Sequence, residues 1–145
     1  MIQCEIVSWT DYFTAKHLIS LSSLVIFYRV PGVDTVLSLI SECKRLNIRT
    51  LWEVDDLIFE RDIIKESKTI QSLEKSLQNQ LSEGAVLYKK ALLECDEAIA
   101  STAGLANAMK DAGIKRVYIV ENALDKETLS ISRRILEAAK NEPKL

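Results

Sequence analysis

Thr50-Leu51-Trp52-Glu53-Val54-Asp55-Asp56 is an apolar run that ends in two carboxylates, and it is the clearest strand pattern in the sequence. Short apolar runs of this kind predict strands that are covered on both faces of a sheet. Three further runs also end in polar or charged residues: Leu24-Val25-Ile26-Phe27-Tyr28-Arg29, Ala98-Ile99-Ala100-Ser101-Thr102 and Val117-Tyr118-Ile119-Val120-Glu121-Asn122.

Helical patterns separate these runs. Apolar residues recur at helical spacing in three segments: 36–46, 70–92 and 126–141. Within the second of these, Gly84 predicts a break between two helices. Thr102 is placed to cap a fourth helix, and Gly113 is placed to end it. Strands that alternate with helices predict right-handed βαβ units with helices on both faces of the sheet. We therefore predict one domain over residues 1–145, a Rossmann-like three-layer α/β sandwich with a mostly parallel sheet of four or five strands.

The remaining segments are less regular. Residues 4–9 alternate weakly and are the candidate for a fifth strand, and Thr10 predicts a short helix that runs to Leu18. Residues 57–68 mix apolar and charged side chains, which predicts a loop or a short helix.

Composition excludes several classes of function. The chain of 145 residues has a formal net charge of −2 and no basic stripe, so no nucleic-acid partner is expected. Cys4, Cys43 and Cys95 match no zinc or redox spacing, which favours reduced thiols in a cytoplasmic protein. The most apolar stretch, Leu18 to Tyr28, is too short to span a bilayer, although peripheral contact with a membrane stays open.

The polar residues that follow the strands form the candidate site. In a parallel sheet the carboxyl ends of all strands meet at one edge, where open α/β folds bind ligands. We call this edge the carboxyl rim; its residues are Arg29, Asp55, Asp56, Ser101, Thr102, Glu121 and Asn122.

Each rim residue also has a simpler interpretation. One aspartate of the Asp55-Asp56 pair caps the next segment while the other is solvated, or both bind hydroxyls, a cation or a basic group. Thr102 is explained well as a helix cap, and Asn122 is typical of a turn. Arg29 is either a solvated surface charge or a side chain that binds a phosphate or carboxylate.

Catalytic motifs are not visible in the sequence. His17 is the single histidine and has no partner of catalytic type, so a structural or surface role is favoured. There is no metal-ligand spacing, nucleophile elbow, P-loop or glycine fingerprint, and no cofactor is predicted.

The ordered set of strand-end motifs resembles the amino-terminal half of a two-domain (GT-B) glycosyltransferase, most of all bacterial enzymes similar to glycosyltransferase family 4. The residues that carry the resemblance lie in four blocks: Val25–Arg29, Thr50–Leu57, Cys95–Thr102 with Leu105, and Val117–Asp125. Three departures are visible: the glycine-rich loop of the family is absent, the donor-binding domain is absent, and the sequence stops at residues 141–145, about where the interdomain connection of the family is expected.

The resemblance implies the acceptor-side domain of an enzyme that uses a nucleotide-sugar donor, inactive alone, in the synthesis of a cell-surface polysaccharide. Its partners would be a sugar or lipid-linked acceptor and a carboxy-terminal donor-binding domain beyond Leu145. The residues expected to face the acceptor are Arg29, Asp55, Asp56, Ser101, Glu121 and Asn122, and no catalytic base is assigned. Self-association through the exposed interdomain surface is a further expectation.

Two other classes of protein fit parts of the pattern. A flavodoxin-like interaction or receiver module also places acids and a Ser/Thr-Ala pair at strand ends, although here the acidic pair follows a middle strand. A nicotinamide-dependent enzyme is disfavoured because the glycine fingerprint is missing.

Overall fold

The computed structural model describes residues 2–123 and 125–141, with side chains of the last helix described as far as Glu137. The strands within these residues are β1 (Leu24–Tyr28), β2 (Arg49–Val54), β3 (Glu97–Ala100) and β4 (Val117–Ile119). The helices are α1 (Tyr12–Ser20), α2 (Asp34–Arg45), α3 (Arg61–Glu66), α4 (Lys68–Gln71), α5 (Lys75–Glu94), α6 (Ala103–Asp111) and α7 (Lys126–Asn141). No helix in the described part of the chain is long and apolar enough to cross a membrane.

The four strands form one sheet in the order β1-β2-β3-β4, and every pair is parallel. The register pairs Phe27 with Trp52 and Trp52 with Ala98, so the middle of each strand lies in one row. A four-stranded parallel sheet flanked by helices confirms the predicted fold class, and it is consistent with a Rossmann-like α/β sandwich.

Three local predictions are wrong. The first helix, α1, is capped by Asp11 rather than by Thr10, since the Asp11 Oδ1 accepts the Thr14 N–H over 3.3 Å. Residues 4–9 form no strand: Val7 and Trp9 pack against the core, but Ile6 stays 95% exposed. Gly84 does not break a helix but lies inside α5. One glycine costs only about 1 kcal/mol in a helix, and buried residues on both sides of it, such as Ser82 and Ala85, hold α5 against the protein.

One face of the sheet is covered over its two central strands, β2 and β3. Trp52, Val54, Ala98 and Ala100 have no exposed surface, and Trp52 packs edge-to-face against Phe59 with ring centroids 5.8 Å apart. Each crossover steps to the next strand in the same direction, so right-handed connections put the intervening helices on the same side of the sheet. This accounts for a core that lies between these strand residues and the helices.

The second face is only partly covered. Its central residues, Leu51 and Glu97, are buried, but large side chains nearer the sheet edges keep 39–54% of their surface exposed: Leu24, Ile26, Tyr28 and Tyr118. Helices were predicted to cover both faces of the sheet; one face is covered over its central strands, and the other is covered only in part.

The turn after β1 is held against α5 by a close backbone approach. The Gly32 N–H donates to the Leu87 carbonyl over 2.8 Å, and a Cβ on Gly32 would lie 2.8 Å from both that oxygen and the Ala91 nitrogen. The Trp52 Nε1–H donates to the Val30 carbonyl over 3.1 Å in the same turn. This contact requires glycine because backbone atoms, unlike a flexible side chain, cannot move aside.

Gly32→Ala is expected to lower the free energy of unfolding by about 1–3 kcal/mol, since an added methyl group must displace a packed turn or helix. Urea denaturation followed by circular dichroism measures the effect. Gly84→Ala is the matched control: a Cβ there meets nothing within 4 Å, so a gain of up to about 1 kcal/mol is expected. Equal effects of the two substitutions would contradict the close-approach argument.

Candidate functional site

The carboxyl rim lies at one edge of the sheet because all four strands are parallel. Arg29 directly follows β1, the Asp55-Asp56 pair follows β2, and Ser101-Thr102 follows β3. Glu121 and Asn122 come shortly after β4, and both side chains are exposed. The sequence-predicted site residues are thus gathered at the same end of the sheet.

Arg29 and Asp56 form an ion pair across the ends of β1 and β2. The Arg29 Nη2 lies 2.7 Å from the Asp56 Oδ2, and the two side chains are 44% and 55% exposed. Arg29 has a φ of +50°, in the left-handed region where a side chain with a Cβ is strained. An exposed pair of this kind contributes about 0–1 kcal/mol, so a ligand can separate it at low cost.

Asp55 has a different environment from its neighbour. The Tyr28 hydroxyl donates to the Asp55 Oδ2 over 3.4 Å, and the Ser101 hydroxyl donates to the Asp55 backbone carbonyl over 3.5 Å. Successive side chains at a strand end point to opposite sides, so Asp55 turns toward Tyr28 while Asp56 turns toward Arg29. The two carboxylates are therefore not equivalent.

Glu53 adds a third acid beside this pair. Burial raises the pKa of Glu53, and the nearby charge of Asp55 raises it further. Asp55 and Glu53 are both half-buried. The carboxyl rim therefore places acidic side chains next to one another where they are partly shielded from solvent.

The segment after Asp56 is anchored on both sides. Phe59 is fully buried against Trp52, the Lys89 Nζ donates to the Glu60 Oε1 over 2.9 Å, and the Arg61 Nε donates to the Ser82 Oγ over 2.8 Å. These contacts fix the loop between β2 and α3 to α5. A groove of about 460 Å³ then lies between α3, α4 and α5, with a lining that includes Arg61, Lys65, Gln71, Gln78 and Asn79.

The polar residues after β3 serve the fold first. Thr102 is the N-cap of α6, as predicted, and its Oγ1 accepts the Leu105 N–H over 3.2 Å. Ser101 is only 8% exposed, so its hydroxyl joins the ends of β3 and β2 rather than lying open on the surface. Because so little of its surface is exposed, Ser101 can offer a ligand only a small area of contact.

Sequence reasoning kept His17, Trp52 and the cysteines out of the candidate site. His17 lies exposed on α1, and Trp52 is a core aromatic. Burial raises the pKa of the Cys43 thiol to about 11 and that of Cys95 to about 12, so both stay protonated near neutral pH. Within the described residues no group of three or more histidine, cysteine, aspartate or glutamate side chains can hold a metal ion.

Sequence reasoning missed a second charged centre, which lies at the amino ends of the strands, opposite the carboxyl rim. Glu97 opens β3 and is 6% exposed, and it accepts hydrogen bonds from Arg49 and, over 2.6 Å, from Arg116. The partners are 48 and 19 residues away in sequence, so no local motif joins them. The one signal was a glutamate inside the apolar run Glu97-Ala98-Ile99-Ala100.

Glu97→Gln is expected to destabilise the protein above about pH 4.5 and to have little effect in more acidic solution. The Arg49 guanidinium, followed by Arg116, lowers the pKa of Glu97 below its usual 4.5. A carboxyl group with a depressed pKa contributes stability that is present above its unfolded pKa and is lost as the pH falls through its folded pKa. Thermal melting between pH 3 and pH 7 measures the difference between variant and wild type, and Glu137→Gln on the exposed surface of α7 is the control.

Comparison with known proteins identifies no relative: no family model, no curated protein and no solved structure matches the chain.

Proposed function

We propose that the chain is the acceptor-side domain of a cytoplasmic sugar transferase that uses a nucleotide-sugar donor, as in the amino-terminal half of a GT-B glycosyltransferase. The carboxyl rim would bind a sugar or lipid-linked acceptor for surface-polysaccharide synthesis. A separate donor-binding domain would be required, and the chain alone would be inactive.

The charge of the rim is the observation that supports an acceptor rather than a donor. Arg29 is its one cation, against the three carboxylates of Asp55, Asp56 and Glu121, which gives a net charge of −2. Arg29 is already paired with Asp56. A nucleotide diphosphate would be repelled by this surface, whereas neutral hydroxyl groups can donate to its carboxylate oxygens.

The rigidity of the rim supports the same proposal. Ser101 braces the Asp55 backbone, Phe59 anchors the following loop, and Gly32 fixes the turn beyond Arg29. A backbone that is held in place before binding loses less entropy when a ligand binds. Holding an acceptor hydroxyl in a fixed position beside the donor also accounts for much of the rate in a transfer reaction.

The groove beside α5 offers room for the remainder of an acceptor. Its volume of about 460 Å³ is within the usual range for small-molecule sites. Amides in its lining, including Gln71, Gln78 and Asn79, can both donate to and accept from hydroxyl groups. The loop that follows Asp56 leads into this groove, so Asp55 would orient the reacting hydroxyl and the groove would hold the adjoining sugar.

Asp55→Asn is expected to weaken the binding of neutral sugars by about 10- to 100-fold, since a hydrogen bond to a charged group is worth about 1.5–3 kcal/mol. Chemical-shift titration of the labelled chain with methyl glycosides of glucose, galactose and mannose measures this binding. Asp111→Asn is the matched control, because Asp111 is an exposed acid at the far end of α6.

Two results would overturn the proposal. One is the absence of shifts at Asp55, Asp56 and Asn122 with every methyl glycoside at near-millimolar concentration. The other is tighter binding of a nucleoside diphosphate than of any of these sugars. Retained binding in Asp55→Asn would overturn the role of Asp55 alone.

A further inference from the structure

The outer edge of β1 pairs with no strand in the part of the chain that the structure describes. β1 is the first strand of the sheet and bonds to β2 on one side only. Among the described residues no backbone hydrogen bond reaches its other side. Alternate N–H and C=O groups of Leu24–Tyr28 therefore face outward, and such an edge is a template for another strand.

This strand has none of the features that usually protect a sheet edge. It contains five apolar residues, Leu24-Val25-Ile26-Phe27-Tyr28, without a charge, a proline or a bulge. Leu24, Ile26 and Tyr28 share the partly covered face and are 43%, 46% and 54% exposed. The apolar surface continues before the strand, where Leu21 is 73% exposed.

We infer that two copies of the chain pair through β1 in antiparallel orientation and so form a continuous sheet of eight strands. A two-fold axis perpendicular to the sheet at Ile26 relates the copies. The proposal is independent of sugar binding, because it uses the side edge of the sheet and not the carboxyl rim.

The sequence of β1 is self-complementary about Ile26. Antiparallel pairing places Leu24 opposite Tyr28 of the other copy, Val25 opposite Phe27, and Ile26 opposite itself. Each of these is a pair of apolar side chains, the kind that stabilises antiparallel strands. The two-fold axis keeps both copies of the Leu24, Ile26 and Tyr28 side chains on the same face, where they form one stripe.

The charges that flank the strand are compatible with this pairing. Arg29, the first charged residue after β1, would lie opposite Ser23, so no like charges meet. Its guanidinium is also neutralised by Asp56 of its own chain. A different protein would need a matching uncharged strand, whereas a second copy supplies one in the correct order.

The size of the contact sets the strength of the dimer. A five-residue strand buries far less than the roughly 800 Å² per partner of a stable interface. We therefore expect a dimer that dissociates on dilution rather than a permanent one. Sedimentation velocity from micromolar to near-millimolar concentration should show the mass rising from 16.4 kDa toward twice that value.

Ile26→Lys is the decisive variant, because it puts two lysines opposite each other at the two-fold axis. It is expected to weaken the dimer by about 10-fold or more, and Leu24→Lys should act in the same direction. Ile119→Lys is the matched control: Ile119 is 50% exposed on β4, the opposite edge strand. Circular dichroism checks that each variant is folded.

Hydrogen exchange gives an independent measurement. The outward amides of β1 should gain protection as the wild-type concentration rises, and Ile26→Lys should remove that gain. A monomer at every concentration would overturn the inference. So would assemblies larger than a dimer, or a dimer that Ile119→Lys disrupts while Ile26→Lys does not.

Discussion

The four strands pair in parallel and in chain order, and this order determines where the helices and the candidate site lie. Each crossover moves to the next strand in the same direction, so a right-handed connection returns its helix to the same face every time. The carboxyl ends of the strands then share one edge, which is where Arg29, Asp55 and Asp56 lie. The same order leaves β1 with a free outer side and one face of the sheet incompletely covered.

Trp52 connects this sheet to the candidate site. Its ring is fully buried between Phe59 and Tyr88, and its indole N–H must find an acceptor because burial without one is costly. The acceptor is the Val30 carbonyl, in the turn that follows Arg29. Gly32 lets that turn approach α5, so the position of Arg29 follows from the packing of the core.

Local patterns in the sequence predicted the parts of the structure that depend on local physics. Thr50 to Val54 forms a strand, Thr102 caps α6, and α7 has the predicted bounds, since periodicity and capping act within a few residues. Long-range contacts were beyond such reasoning. The convergence of Arg49 and Arg116 on Glu97, and the pairing of Arg29 with Asp56, depend on which strands are neighbours and in what register.

The two charged centres of the sheet differ in the capacity they leave for a ligand. Both carboxylate oxygens of Glu97 are occupied by arginines, and the residue is buried, so this centre binds strands together and has little left to offer. At the carboxyl rim, the Asp55 carboxylate accepts one long hydrogen bond, from Tyr28. A carboxylate can accept about four hydrogen bonds. Carboxylate oxygens that are free to accept further hydrogen bonds, in a region of net negative charge, favour hydrogen-bond donors that carry no negative charge. The two centres therefore differ in role: the arginines of Glu97 join neighbouring strands, whereas the oxygens of Asp55 stay largely open to other donors.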